Sequence, residues 1–318
     1  MKRYLPLFAS AAICAAFPVS AQDTKTYPAP PEIVAAAKAD EWVAIAPADL
    51  LVMDLAPDSK GKSRRVVIQL MPAPFSQGWV GNIRKLAAAH WWDGTSINRV
   101  QDNYVVQWGD ATEKKALPEG LAVVPESAYA LSERPHDRKN LTAATADKAA
   151  GFPHFVQLVD DAYAEYTAFS GGFPVASKGG DRWPTHCYAM VGVGRNLSPD
   201  TGTGAELYTV IGHAPRHLDR NIALVGRVIE GIEHMSSLPR GTGALGFYEK
   251  EEERVPIVSV RLGDEARELP AFEYLSTEST SFAAYAEARA NRRDPFFITP
   301  AGGADICNIP VPIRRKAK

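Results

Sequence analysis

Short apolar runs separated by turn-forming residues recur along the chain, and this alternation predicts a mainly β protein. The runs are rich in Val, Ile and Leu, and Gly, Pro, Asp or Asn stand between them. Residues 57–63 read as the hairpin connection between the first two runs. The predicted strands are residues 50–55, 65–70, 187–193, 206–211, 223–228 and 255–262.

Helical spacing of apolar residues is confined to a few segments. Residues 79–91 carry apolar side chains at helical spacing before the turn Asp93-Gly94. Residues 155–169 follow the same i, i+3, i+4, i+7 spacing, which predicts a second helix. Shorter helices are predicted at residues 32–38, 230–238 and 282–291.

The polar turn Gln101-Asp102-Asn103 stands between two apolar-rich runs. Because Asp and Asn suit tight backbone turns, the chain is predicted to fold back here and to bring Arg99 close to Tyr104 and Gln107. A guanidinium, an aromatic ring and an amide would then line one shallow site. The alternative is an ordinary hairpin whose arginine and glutamine point into solvent.

The same hairpin carries a family resemblance. Residues 98–110 read NRVQDNYVVQWGD, which resembles the His-Arg-Val-x-x-x-Phe-Met-x-Gln-Gly-Gly-Asp segment of cyclophilins, the peptidyl-prolyl cis-trans isomerases. Residues 204–208, GAELY, resemble the family's Gly-Ser-Gln-Phe-Phe. Residues 217–232 resemble its Trp-Leu-Asp segment and the strand that follows. With further similarities at residues 66–70 and 82–87, the matches keep the family order and cover most of residues 50–263.

The resemblance implies a fold as well. We expect a mainly β, cyclophilin-like closed eight-stranded antiparallel barrel capped by two helices, over residues 49–263. Residues 22–48 are expected to form an N-terminal leader and residues 264–318 a C-terminal extension. An enlarged insertion at about residues 113–185 is expected to pack against the barrel; a separate recognition module is the alternative.

The resemblance also assigns roles to individual residues. Arg99 matches the family's catalytic arginine, and Gln107 matches the amide that orients the substrate backbone. The positions matched to substrate binding are Tyr104, Val105, Glu206, Tyr208, His217 and Leu218.

Four positions depart from the family pattern. Asn98 stands where the family has His, Glu206 where it has Gln, His217 where many members have Trp, and Ile222 where many have His. Of these, Glu206 bears most on activity, because a carboxylate near Arg99 would pair with it and compete with substrate.

The implied reaction is rotation about an X-Pro amide. It needs no nucleophile, general base, metal or cofactor, only a surface that prefers the twisted amide to the planar one. The rate is therefore predicted to depend weakly on pH, unless Glu206 controls Arg99. The alternative is a non-catalytic binder or chaperone of Pro-containing segments. Arg99 and Gln107 match the family and favour the enzyme. Tyr104, Val105 and Glu206 stand where the family has Phe, Met and Gln, and these differences favour the binder.

Two segments resemble ligand-binding motifs, but no ligand is predicted for either. Residues 241–246 satisfy G-x-G-x-x-G but follow no predicted strand and open no helix, so a loop is predicted instead of a dinucleotide site. His213 and His217 have a metal-like spacing, but Pro215 between them would break a helix that presented both rings. No metal site is predicted.

Composition and the first residues bear on location. The 318 residues carry a formal net charge of −2, which gives no sign of a nucleic-acid partner. Residues 1–21 read as a secretory signal peptide, and their apolar run is too short for a membrane span. Their removal takes away Lys2 and Arg3 and no acidic residue, which changes the net charge to −4. We expect a periplasmic or secreted monomer, without a membrane span after signal removal, that acts on Pro-containing segments of exported proteins.

Three cysteines occur, and Cys14 lies within the predicted signal. In an oxidising compartment Cys187 and Cys307 either form a bridge or remain as two unpaired thiols. In the family alignment Cys187 precedes a barrel strand, whereas Cys307 lies in a Pro-rich tail that a bridge would clamp. We predict a Cys187–Cys307 disulfide with Cα atoms within about 7 Å of each other.

Overall fold

The computed structural model describes residues 27–132 and 161–316. The predicted signal at residues 1–21 lies outside the described residues, as does the first part of the helix predicted at residues 155–169. The helices are α1 (Pro30–Ala35), α2 (Gln77–Ala88), α3 (Glu233–Ser236) and α4 (Thr280–Ala290). Within the described ranges, none of them is long and apolar enough to cross a membrane.

The strands of the described ranges follow the predicted alternation of apolar runs and turns. They are β1 (Trp42–Ile45), β2 (Leu50–Leu55), β3 (Arg64–Leu70), β4 (Ser96–Val100), β5 (Val105–Gly109), β6 (Leu131–Ser132), β7 (Tyr166–Ser170), β8 (Phe173–Lys178), β9 (Asp181–Pro184), β10 (Met190–Val193), β11 (Leu207–Val210), β12 (Leu224–Glu230), β13 (Val255–Leu262), β14 (Phe272–Leu275) and β15 (Ile313–Arg315).

Eight strands close into an antiparallel barrel in the order β10-β11-β5-β4-β13-β2-β3-β12, which confirms the predicted fold class. Strand β2 pairs with β3 from Leu50 opposite Gln69 to Leu55 opposite Arg64, so the predicted hairpin connection joins them. Nearly every residue of β2 is buried. A continuous apolar run is what a strand covered on both faces requires.

Helix α2 is the helix predicted at residues 79–91, begun two residues earlier and ended three residues earlier. Trp79, Ile83 and Leu86 are fully buried and belong to the same core as the barrel residues Ile68 and Val260. The helix predicted at residues 230–238 is a single turn, α3. It is shorter because Glu230 still pairs in β12 and Gly231 has a φ of +85°, which ends the strand in a left-handed turn.

The helix predicted at residues 155–169 is wrong in its described part. The chain from Tyr166 to Ser170 is strand β7, which pairs with β8 across Gly171 and Gly172. Both glycines have positive φ, +55° and +79°, which suits a two-residue hairpin turn. The four strands β6-β9-β8-β7 form a small sheet. Phe173 on β8 is buried in the barrel's core cluster, so the insertion packs against the barrel, as expected.

The two ends of the described chain form a third sheet, in the order β1-β14-β15. Strand β1 was not predicted, because its four residues, WVAI, show no alternation of apolar and polar positions. Helix α4 confirms the helix predicted at residues 282–291. It begins after Ser279, whose hydroxyl accepts a hydrogen bond from the backbone N–H of Phe282 at 3.0 Å.

Arg227 of β12 joins the barrel to both added parts. Its guanidinium donates to the side-chain oxygen of Gln69 at 2.8 and 3.0 Å and to the carbonyl of Gly172 at 2.7 Å. It also lies 4.4 Å from the ring centroid of Phe173 and 5.8 Å from that of Tyr274. Burial lowers the pKa of Arg227 to about 9. One buried cation thus connects barrel, insertion and extension.

A disulfide joins Cys187 to Cys307, with a Cα separation of 5.0 Å that falls within the expected limit. Cys187 directly precedes the barrel strand region, and Cys307 lies in the tail. The neighbouring Ile306 is 1% exposed and packs into the barrel's core. The tail is therefore held both covalently and by burial.

Candidate active site

The turn between β4 and β5 builds the site. The backbone N–H of Gln101 donates to Val105 at 2.9 Å, and Asn103 has a φ of +49°, a conformation that Asn tolerates. The register places Arg99 opposite Gln107. Two side chains that are eight positions apart in the sequence therefore meet on one face.

Three of the five N–H groups of the Arg99 guanidinium are engaged. Nε donates to the backbone carbonyl of Leu245 at 2.8 Å, Nη1 donates to Oε1 of Gln107 at 3.1 Å, and Nη2 donates to Oε1 of Gln101. The ring centroids of Tyr104 and Phe247 lie 5.8 and 5.2 Å from the guanidinium carbon. Partial burial lowers the pKa of Arg99 below its usual value. The cation is held in one orientation, and two N–H groups remain for a substrate.

The loop around Leu245 belongs to this site, which the sequence did not indicate. Residues 241–246 form the predicted loop, which contains one 3-10 turn. Directly after it, the backbone of Phe247 forms an isolated antiparallel β-bridge with Arg99. Leu245 has a φ of +54°, and its side chain is 67% exposed. Gln101 is the second contact that the sequence missed. No motif signals either residue, since both act through contacts that depend on the folded loop.

Glu206 lies beside Arg99 and Gln107 without forming an ion pair to Arg99. Burial raises the pKa of its carboxyl to about 7. Hydrogen bonds from the side-chain amides of Gln107 and Asn98 and from the backbone of Asp110 act in the opposite direction and lower this pKa. Gln107 contacts both Arg99 and Glu206 and so stands between them. Glu206 therefore does not pair with Arg99 in this structure. The carboxyl of Glu206 accepts a hydrogen bond from the side-chain amide of Gln107 and not from the guanidinium of Arg99.

The cleft beside Arg99 also has an apolar floor. Val105 and Tyr208 are buried together with Val210, and Tyr104 and Ile222 pack against them. The whole cleft has a volume of about 610 Å³. Among the residues predicted from the sequence, those that line it are Arg99, Tyr104, Val105, Gln107, Glu206, Tyr208 and Leu218.

His217 is the predicted site residue that the structure does not bring to the cleft. Its side chain is exposed, while its neighbours Arg216 and Leu218 are buried and half-buried. Residues 216–218 form a 3-10 turn, and in this turn Leu218 lines the cleft while His217 does not.

The arrangement suits rotation about an amide. An apolar floor lies beside a fixed cation that keeps two N–H groups for a bound X-Pro amide. When such an amide twists, its nitrogen becomes pyramidal and its lone pair accepts a hydrogen bond. Donors positioned in advance stabilise this twisted state more than the planar one.

Comparison with known proteins gives a consistent result. The model of the family described as cyclophilin type peptidyl-prolyl cis-trans isomerase/CLD matches residues 60–262. The crystal structure of cyclophilin AquaCyp293 from Hirschia baltica has a TM-score of 0.61 and 21% sequence identity, and the match covers 87% of this chain and 95% of that chain. This similarity supports the fold.

A second solved structure is more distant. It is a cyclophilin type peptidyl-prolyl cis-trans isomerase of Cryptosporidium parvum in the presence of the dipeptide ala-pro. It has a TM-score of 0.37 and 10% identity, and the match covers 66% of this chain and 98% of that chain. No curated protein matches the chain.

Proposed function

The chain belongs to the family of cyclophilin-type peptidyl-prolyl cis-trans isomerases, and we propose that its Arg99 cleft isomerises X-Pro bonds in exported polypeptides. The observation that carries this proposal is the Arg99 guanidinium, held by Leu245 and Gln107 beside the apolar floor of Val105 and Tyr208. The apolar floor would bind the proline ring, and the adjacent guanidinium would stabilise the twisted amide.

Each group has one task in the proposed reaction. The proline ring rests on Val105 and Tyr208, which excludes water from the amide. Gln107 holds the substrate backbone, and Arg99 donates to the amide nitrogen as it becomes pyramidal. The barrier to the uncatalysed rotation is about 18–20 kcal/mol, and lowering it by about 1.4 kcal/mol raises the rate tenfold.

Exported polypeptides are the proposed substrates for two reasons. Residues 1–21 have the pattern of a secretory signal. The bridge between Cys187 and Cys307 is a kind of bond that persists in oxidising compartments. Both observations favour a protein that meets its clients outside the cytoplasm and assists their folding.

The isomerase proposal is tested with a protease-coupled assay on an Ala-Ala-Pro-Phe anilide and the purified protein. We expect acceleration by the wild type and a loss of about 100-fold or more in kcat/KM for Arg99→Ala, since a preorganised donor is removed. The matched control is Arg84→Ala, which loses an exposed ion pair to Asp49 outside the cleft. A protein that binds the peptide without accelerating its isomerisation would be a binder, and the proposal would be wrong.

The export proposal has its own test. The full chain is expressed in a Gram-negative host, and the proteins released by osmotic shock are collected. We expect the protein in this fraction with Gln22 at its N-terminus. Retention in the cytoplasm with residues 1–21 still attached would contradict the proposal while leaving the isomerase assay unaffected.

A further inference from the structure

The floor of the proline pocket is tied to a buried polar chain behind it. Tyr208 and His186 are 4% and 0% exposed. The hydroxyl of Tyr208 lies 2.8 Å from Nε2 of His186, and the two rings are nearly parallel, with centroids 6.3 Å apart. The hydroxyl therefore points away from the cleft and leaves the floor apolar.

The carboxylate of Asp219 determines which atom is the donor in the contact between Tyr208 and His186. Its Oδ1 lies 2.9 Å from Nδ1 of His186 and also accepts from the backbone N–H of His186 at 2.9 Å. A carboxylate can only accept, so Nδ1 carries the proton and Nε2 presents its lone pair. Burial lowers the pKa of His186 and favours this neutral ring. The hydroxyl of Tyr208 is consequently the donor to His186.

The chain of contacts continues into the insertion. Arg216 donates from Nε to Oδ2 of Asp219 at 2.6 Å, and from its two terminal nitrogens to Asp161 at 2.8 and 3.1 Å. The side chains of Arg216, Asp219 and Asp161 are 3 to 6% exposed. A buried ion-pair network therefore anchors His186 from the side opposite the cleft.

Gly192 gives the Tyr208 ring the space that it occupies. It stands opposite Tyr208 on the neighbouring strand β10, and a Cβ at this position would collide with the hydroxyl end of the ring. Because the ring meets a glycine here, no side chain at position 192 restrains it. The hydrogen bond to His186 fixes the position of its hydroxyl end.

We propose that His186 is a positioning residue for substrate binding, which holds Tyr208 at the depth that fits a proline ring. This role rests on the proposed function of the cleft and deepens it, because it makes the affinity for the proline ring depend on a residue that touches no substrate. It also gives the insertion a task, since Asp161 completes the network that fixes His186.

Two amide replacements separate the two nitrogens of the imidazole. In His186→Asn the amide can replace Nδ1 and keep the bond to Asp219, but it cannot reach Tyr208. In His186→Gln the amide oxygen can replace Nε2 and accept from Tyr208. We expect His186→Asn to weaken binding of an Ala-Ala-Pro-Phe peptide about fivefold to tenfold, with the catalysed exchange rate at saturation within about twofold of wild type. His186→Gln should restore the affinity to within about twofold.

Both quantities come from NMR titration and exchange spectroscopy of the peptide, with melting temperature recorded for each variant. A merely structural His186 would lower the melting temperature of both variants and leave the peptide affinity of the folded fraction unchanged, which would overturn the proposal. Equal weakening by Asn and Gln would also overturn it, because the contact to Tyr208 would then not be the cause.

Tyr208→Phe removes the same hydrogen bond from the other side. It should by itself weaken peptide binding about fivefold to tenfold, so it serves alone if His186→Asn does not fold. Where His186→Asn folds, adding it to Tyr208→Phe should weaken binding no further. An additional loss in the double variant would overturn the proposal. A wild type that binds the peptide without catalysis overturns the proposed function alone, while the affinities still decide the role of His186. A wild type that does not bind the peptide overturns both.

Discussion

Arg99 and Leu245 are joined by a hydrogen bond from the guanidinium Nε to the backbone carbonyl, 2.8 Å long, across 146 positions of sequence. The orientation of the catalytic cation therefore depends on the backbone of a distant loop, and not on the side chain of Leu245, which is largely exposed. Misplacement of a catalytic group by about 1 Å can cost on the order of 100-fold in rate.

Leu245→Pro should lower kcat/KM about tenfold or more, because proline fixes φ near −65° whereas Leu245 has a φ of +54°. Leu245→Gly keeps the carbonyl and suits a positive φ, so we expect a loss of less than about threefold. Both variants are compared in the coupled assay at equal folded fraction. Similar losses in the two would show that the side chain matters and not the carbonyl.

The carboxyl of Glu206 should make stability depend on pH near neutrality. Its pKa is raised to about 7 from the ordinary 4.5, so the folded state favours the protonated form. The stabilisation that this group contributes is largest below about pH 4.5 and is lost as the pH rises through 7. The loss is on the order of 2 kcal/mol, since one pKa unit corresponds to about 1.4 kcal/mol and the carboxyl is partly solvated. Urea unfolding of the wild type and Glu206→Gln measures it, and the Gln variant should lack this slope.

The same ionisation should appear in the rate. An ionised Glu206 lies one side chain away from Arg99 and weakens its field at the substrate, so kcat/KM should fall severalfold as the pH rises through 7. Glu206→Gln should give a flat profile over this range. A flat wild-type profile, as expected from the reaction chemistry alone, would show that Gln107 insulates Arg99 from the carboxyl.

Loss of the Cys187–Cys307 bridge should destabilise the extension. The bridge closes a loop with a sequence separation of 120, and loops of that size contribute about 4–5 kcal/mol in the chain-entropy model, often less in practice. Cys307→Ser should lower the free energy of unfolding by on the order of 2–5 kcal/mol, and Cys187→Ser/Cys307→Ser by about as much. Hydrogen exchange should rise first in α4. Two free thiols in the non-reduced exported protein, by mass spectrometry, would contradict the bridge.

Arg227→Met should destabilise the protein by about 2–4 kcal/mol, because it leaves the side-chain oxygen of Gln69 and the carbonyl of Gly172 unpaired and buried. The matched control is Arg315→Met, which breaks an ion pair between Glu230 and an arginine side chain that is 63% exposed. Such a pair contributes at most about 1 kcal/mol. Equal losses in chemical denaturation would mean that Arg227 does not join the three parts.

The sequence predicted what depends on local pattern. The strands of the barrel follow from apolar runs and turns, and the meeting of Arg99 with Gln107 follows from the turn at residues 101–103. The bridge was predicted from the two cysteines that remain after the predicted signal peptide, together with their places in the family alignment. These features need only neighbours in sequence or a small number of pairings.

The rest depends on contacts between distant segments, which no local pattern records. The carbonyl of Leu245 and the ring of Phe247 contact Arg99 from the loop at residues 241–247. In the sequence this loop showed only a G-x-G-x-x-G pattern without the strand and helix of a dinucleotide site. His186 meets Tyr208 because β10 and β11 bring the ring across Gly192. The strand β7 was mistaken for a helix because its aromatic residues Tyr166 and Phe169 are three positions apart, a spacing that is typical of a helix. The turn Gly171-Gly172 was the better signal.

The sheet of β1, β14 and β15 bears on the order of events during synthesis. Trp42 on β1 pairs with Leu275, more than 200 residues further along the chain, and Tyr274 pairs in turn with Ile313. Residues 46–271 separate β1 from β14, so β1 waits unpaired while the ribosome synthesises that segment. Pairings so far apart in sequence form slowly and expose strand edges meanwhile. The edge of β1 therefore has to be kept from premature pairing until β14 has been made.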